Sequence, residues 1–222
     1  MKMLKPPQIL YIGVYTALII WVLVASSSLR GSEFFAISAL GLTAYSLMWA
    51  HYFNGFIRGV FFPESNTKTL YKITKYFVFF AIIAHPLGVS YVVTSSGFGI
   101  PPMSYIRYFG LGNFLYVALG MVSLLIFLSF DLKSKLNKKY QIIVEHLSNF
   151  AMLMITFHAL LLGYVLQDNR YRIFFYFLAI TLTLMMARLY AKEKSKTISI
   201  VGLILVAISL SVVSIIILRS SQ

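Results

Sequence analysis

Seven long apolar runs follow one another along this sequence and limit what the chain can fold into. They cover approximately residues 8–26, 34–57, 73–94, 113–130, 141–166, 171–190 and 197–218. An α-helix needs roughly 20 apolar residues to cross a bilayer, and it satisfies its own backbone hydrogen bonds there. Only 11% of the residues are charged, against roughly 25% in a typical soluble domain. The sequence therefore predicts an all-α membrane protein, a bundle of about seven transmembrane helices forming a single domain over residues 1–222.

The basic residues indicate how the chain is oriented. The formal net charge is +13, and the Lys and Arg residues lie mostly between the apolar runs. Fourteen of the 19, Lys2 and Lys5 among them, fall on one side of the predicted bundle. Such an excess marks the cytoplasmic side, so the N-terminus is predicted to be cytoplasmic and the C-terminus outside. This placement argues against a nucleic-acid partner and predicts an integral protein of a bacterial or archaeal cell membrane, with the lipid bilayer as its surroundings.

The chain has four histidines, and all of them lie inside predicted spans. His51 is in the second span, His85 is in the third, and both His146 and His158 are in the fifth. Ionisable side chains inside a membrane are costly and usually serve a function. The sequence contains no cysteine and no recognisable nucleophile–base pair, carboxylate pair or phosphate-binding loop. No catalytic residue is therefore predicted.

Counting residues from the span ends places the histidines at two depths. His85 and His158 each lie nine residues from the outer end of their span, about 14 Å deep. His51 and His146 each lie seven residues from the inner end, about 10 Å deep. Two such pairs suit one or two b-type haems, each with a histidine on either side of the iron. Structural histidines and a proton relay are the alternatives, whereas a zinc site would need three or four converging ligands.

Two segments resemble the ferric reductase-like transmembrane domain, a family that includes ferric reductases, the membrane half of NADPH oxidases and the haem subunit of the bacterial methionine sulfoxide reductase system. They are residues 71–86, which end in His85-Pro86, and residues 139–159, which contain His146 and His158. The resemblance covers about residues 34–190 and leaves 197–218 as an extra C-terminal span. It implies that the third and fifth spans hold haem, with His85 and His158 as axial ligands of one haem iron. With His51 included, we expect the haem-binding core on the second, third and fifth spans.

The sequence departs from the family pattern at two places, and both concern the second, inner haem. The family usually has another histidine fourteen residues before the one matching His85, and this chain has Tyr71 there. His51, at the same predicted depth as His146, is our candidate for the missing ligand. His146 and His158 are twelve residues apart, where the family has about thirteen. On an ideal helix twelve residues turn the two side chains about 120° apart.

The resemblance implies a membrane b-type cytochrome that carries electrons across the bilayer, either a haem-containing oxidoreductase or its electron-transfer subunit. The acceptor would be ferric iron or a partner reductase on the outer side. The chain has no room for a flavin or nicotinamide site, so a separate cytoplasmic flavoprotein or quinol would supply the electrons. The alternative is a non-enzymatic membrane protein, a transporter or assembly subunit, with structural histidines.

Several other residues near the histidines carry weaker expectations. Pro86 is predicted to kink the third span beside His85, because proline removes a backbone hydrogen bond. Three arginines are predicted to be interfacial anchors or partners of haem propionates: Arg107, Arg170 and Arg172. Three glycines would allow close approach of a helix or of the macrocycle: Gly41, Gly120 and Gly163.

Overall fold

The computed structural model describes residues 6–63 and 68–220, which form eight α-helices and no strands. The helices are α1 (Pro6–Ser27), α2 (Phe34–Val60), α3 (Lys68–Val93), α4 (Met103–Phe109), α5 (Phe114–Asp131), α6 (Lys138–Leu162), α7 (Asn169–Ala191) and α8 (Lys196–Ser220). All except the short α4 are long and apolar enough to cross a membrane. The all-α class and the seven predicted spans are therefore confirmed. Lys2 and Lys5, which entered the orientation argument, lie outside the described residues.

The chain divides into two compact units, residues 1–101 and 102–222. The first contains α1, α2 and α3, and α2 packs along both of the others. Early residues of α2 contact late residues of α3, since Ile37 meets His85 and His51 meets Thr74. The two helices are therefore antiparallel.

The second unit contains α4 to α8, and its closest helix pairs are α5 with α6 and α7 with α8. Tyr116 of α5 meets His158 of α6, and Ser123 meets Ala151, so α5 and α6 are also antiparallel. The most deeply buried large side chains of this unit come from α6, α7 and the turn between them: Phe175, Met152, Leu166, Leu178, Leu182 and Met186.

Large apolar side chains cover much of the outside of the helices. Phe80 is 65% exposed, Tyr91 74% and Leu125 65%. A soluble protein seldom exposes so many such groups along whole helices, because their contact with water is unfavourable. A lipid bilayer is the environment that this surface suits.

Two helix ends differ from the predicted spans. Beyond α3 the chain continues as a wider π-type turn, Thr94–Phe98, in which Gly97 has φ 84°. The fifth predicted span, 141–166, breaks at Gly163, where the extended ψ of 105° ends α6 and the 3₁₀ turn Tyr164–Gln167 follows. The prediction of one domain over residues 1–222 stays a prediction.

Candidate functional site

His85, in α3, is anchored to the backbone of α2. Its Nδ1 atom lies 2.8 Å from the carbonyl oxygen of Ile37. A carbonyl can only accept a hydrogen bond, so Nδ1 carries the proton and Nε2 keeps the lone pair of the neutral ring. The ring is half-buried. The anchor thus fixes both the tautomer of His85 and the direction of its ring.

Gly41 of α2 provides the surface on which the His85 ring lies. A Cβ atom added at Gly41 would stand 2.9 Å from both Nδ1 and Cε1 of that ring. Contacts this short do not occur between real Cβ atoms and their neighbours, so any larger residue would force the ring to move. The group that approaches Gly41 closely is the His85 ring of α3.

His158, in α6, has the same surroundings in the second unit. Its Nδ1 atom lies 2.8 Å from the carbonyl oxygen of Tyr116 in α5. A Cβ atom at Gly120 would stand 2.7 Å from both Nδ1 and Cε1 of the ring. His158 is therefore the same tautomer as His85, with its lone pair on Nε2.

We call the carbonyl and the glycine that hold one imidazole ring its seat: Ile37 and Gly41 for His85, and Tyr116 and Gly120 for His158. The two seats have the same arrangement along their helices. In each, the glycine follows the accepting carbonyl by four residues, one helical turn later. Ile37 is the third residue after the start of α2, and Tyr116 is the second after the start of α5. Each seat thus lies within the first two turns of the facing helix.

His51, in α2, is held through Nε2, whereas His85 and His158 are held through Nδ1. Nε2 lies 2.7 Å from the Thr74 hydroxyl oxygen, and that hydroxyl donates its only proton to the Leu70 carbonyl at 2.8 Å. Nε2 of His51 must then be the donor, and the lone pair is on Nδ1. The Tyr71 ring packs against His51 with 4.6 Å between centroids. Tyr71 therefore contacts His51, the residue that the sequence analysis offered as the missing inner ligand.

His146, in α6, differs again. Its Nδ1 atom is buried and has no hydrogen-bond partner among the described residues. Its ring stacks on Tyr190 of α7 with 5.9 Å between centroids. Tyr190 in turn lies against Gly202 of α8, where a Cβ atom would stand 2.2 Å from two ring carbons. No motif in the sequence singles out Tyr190.

The remaining residues of the sequence hypothesis have local roles. Pro86 lies inside the continuous helix α3. Arg170 pairs with Asp168 at 2.6 Å, and Arg172 binds the Leu166 carbonyl and the Gln167 amide oxygen. Two of the three arginines thus tie together the turn before α7. The crowding at Gly163 comes from the carbonyl of Ala159 in its own helix, 2.4 Å from an added Cβ.

Two of the four histidines have the second-nitrogen contact that is typical of metal-ligand histidines. No group of three or more histidine, aspartate or glutamate side chains comes together in the described ranges, whereas a haem iron needs only two axial ligands from protein. A ligand histidine nearly always donates its second ring N–H to a carbonyl or carboxylate, and His85 and His158 both do so. No family model, no curated protein and no solved structure matches the chain.

Proposed function

We propose that the chain is a membrane b-type cytochrome of the ferric reductase-like kind, in which Nε2 of His85 and Nε2 of His158 would bind haem iron. One observation carries the proposal: both histidines donate Nδ1–H to a backbone carbonyl at 2.8 Å and lie on a glycine. Each therefore presents a neutral Nε2 lone pair, which is the form that binds iron.

The chain's own residues would supply orientation and electronic tuning. The Ile37 and Tyr116 carbonyls hold the imidazoles in one tautomer and make them stronger electron donors, as acceptors in the outer shell of a metal site do. Gly41 and Gly120 allow the rings to lie close to the facing helix. A bound haem iron alternates between the ferric and ferrous states and so moves one electron at a time.

The inner histidines support a second haem less well. Iron binding through Nε2 of His51 would break the 2.7 Å hydrogen bond to Thr74. Nδ1 of His146 lacks the acceptor that ligand histidines usually have. The proposal is therefore one haem at the outer level, and the inner haem on His51 and His146 is the second candidate.

The direction of electron flow follows from the predicted orientation. Electrons would come from the lysine-rich cytoplasmic side, supplied by a separate flavoprotein or by quinol. They would leave near the outer haem to ferric iron or a partner reductase. The rival function, a transporter or assembly subunit, would give His85 and His158 a packing role only.

A visible spectrum tests the proposal directly. The protein, expressed with ample haem and purified, should show a Soret band that shifts on reduction with dithionite. His85→Gly and His158→Gly should lose most of the haem, and added imidazole should restore it, because free imidazole can occupy the vacated space and bind iron. A wild-type protein without a Soret band, or both variants with unchanged haem content, would overturn the proposal.

A further inference from the structure

Exposed lysines lie at one end of the second unit, the end predicted to be cytoplasmic. Among the described residues they are Lys135, Lys138 and Lys139, before and at the start of α6, and Lys192, Lys194 and Lys196, between α7 and the start of α8. We propose that these lysines bind the phosphate head group of an anionic phospholipid from the inner leaflet. The inference does not depend on whether the chain binds haem.

Three residues in contact show how the helices at this end are aligned. The His146 ring of α6 stacks on Tyr190 of α7 with 5.9 Å between centroids, and Tyr190 lies against Gly202 of α8. These residues mark one level of the unit. Helix α7 ends one residue beyond that level, at Ala191, whereas α6 begins eight residues before His146 and α8 six residues before Gly202.

The first turns of α6 and α8 therefore rise about 12 and 9 Å above this level, beyond the end of α7. We call the space between them the inner notch. Its walls are residues 138–145 of α6 and the start of α8, its floor is the end of α7, and residues 192–195 cross it. The floor is also the end of an apolar span, and the head-group layer of one leaflet is about 5–7 Å thick. The notch thus suits the depth of lipid head groups.

The inner notch carries an excess of positive charge. None of the six lysine side chains has an ion pair or hydrogen bond with another described residue. Of the acidic side chains described at this end, Glu145 pairs with Lys133, and Glu193 accepts a hydrogen bond from the Ser195 amide at 3.2 Å. Two helices also begin here, and a helix N-terminus carries a partial positive charge. A phosphodiester anion would balance this charge.

An apolar stripe leads from the notch toward the middle of the membrane. Ile142, His146 and Phe150 follow one another at four-residue steps along α6 and so share one face, with Ile143 beside them. Ile142 is 48% exposed, Ile143 44% and Phe150 38%. An acyl chain can lie along this stripe while its phosphate contacts the lysines. A water-soluble acidic protein would match the lysines but could not reach a stripe below the head groups, so a lipid is the better occupant.

A lipid in the notch would connect two pairs of helices. The closest pairs of this unit are α5 with α6 and α7 with α8, and the stack of His146 on Tyr190 joins one pair to the other. A phosphate held by Lys139 of α6 and by Lys192 at the end of α7 would add a second link. Bound anionic lipid should therefore raise the melting temperature of the chain.

Native mass spectrometry of the full chain in detergent can measure the binding of single lipids. The probes are phosphatidylglycerol and phosphatidylcholine with identical acyl chains, which differ in head-group charge. Wild-type protein should prefer phosphatidylglycerol, and the preference should fall as salt is added. Lys139→Gln and Lys192→Gln should each weaken phosphatidylglycerol binding about fivefold, the usual contribution of one lysine near an anionic lipid surface.

The matched control is Lys72→Gln, which removes an exposed lysine of α3 from the same predicted side of the membrane, outside the notch. It should leave phosphatidylglycerol binding unchanged, and phosphatidylglycerol should raise the melting temperature of this control as it does that of the wild type.

Three results would overturn the lipid site. The first is equal affinity of the wild type for the two lipids. The second is undiminished phosphatidylglycerol binding by a variant with both Lys139→Gln and Lys192→Gln, which is the outcome expected if the lysines serve a soluble acidic protein. The third is an equal loss of binding in Lys72→Gln, because the preference would then reflect the net charge of the chain and not the notch.

Discussion

Nδ1 of His85 lies 2.8 Å from the carbonyl oxygen of Ile37. In most α-helices a first-turn carbonyl serves only the amide four residues later; here it also receives an imidazole from the neighbouring helix. The glycine at that fourth position lets the ring come close enough to make the bond. The carbonyl, the imidazole bonded to it and the glycine one turn later recur at His158, where Tyr116 corresponds to Ile37 and Gly120 to Gly41.

The first prediction concerns the two seat glycines. Gly41→Ala and Gly120→Ala should each lower haem content severalfold, because the added methyl would stand 2.9 or 2.7 Å from the histidine ring and displace it from its carbonyl. Gly55→Ala and Gly112→Ala are matched controls, since nothing lies within 4 Å of a Cβ at either position. The measurement is the ratio of Soret to protein absorbance after purification.

A displaced ring should also change the spectrum of any haem that remains. The α-band position and the reduction potential should shift in Gly41→Ala and Gly120→Ala and stay at wild-type values in the controls. Full haem content with an unshifted potential in both seat variants would contradict the assigned positioning role.

The spans could be predicted from the sequence because each is a local property. Length and apolarity alone decide whether a helix can cross a membrane, and all seven runs became helices of the expected kind. The end of α6 could not be placed in the same way. Residues 163–166 are as apolar as the helix before them, and only the backbone conformation at Gly163 separates the two.

The equivalence of the two histidine seats is not visible in the sequence. Each seat is made by a backbone carbonyl, which any residue can provide, and by a glycine 44 or 38 residues before the histidine. No fixed spacing joins them. The partners of His51 and His146 were equally hidden, because Thr74 and Tyr190 come from neighbouring helices.

The second prediction concerns Tyr190 and α8. Gly202→Ala should destabilise the protein by about 1–3 kcal/mol, the usual cost of overpacking, because its methyl would stand 2.2 Å from the Tyr190 ring. Gly13→Ala, in the open face of α1, should instead be neutral or slightly stabilising, since alanine favours helix over glycine. Thermal unfolding in detergent compares the two. Equal melting temperatures would show that α8 can move aside at no cost.

The third prediction is a pH dependence at the start of α7. Asp168 caps this helix by accepting from the Arg170 amide at 2.9 Å, and the hydrogen bonds from Arg170 lower the pKa of the Asp168 carboxyl. A lowered pKa means that the charged form stabilises the fold at neutral pH. That contribution is lost as the pH falls below about 4 and through the folded-state pKa.

Asp168→Asn isolates the charge in this effect, because asparagine is also a good helix cap. The wild-type protein should melt above Asp168→Asn at pH 7, and the difference should vanish in acid. Asp168→Ala should remain less stable than Asp168→Asn throughout. A wild-type advantage that grows in acid would contradict the sign of the pKa shift.

The fourth prediction is the number of haems. Wild-type protein should contain about one haem per chain and titrate as a single one-electron wave, because only His85 and His158 have the Nδ1 acceptor that favours iron binding at Nε2. His51→Ala and His146→Ala should keep that haem, whereas His85→Gly and His158→Gly should lose it. Pyridine haemochrome analysis with a redox titration measures both quantities. Two haems in the wild type and one in His51→Ala would instead place His51 on an inner iron, with its bond to Thr74 broken.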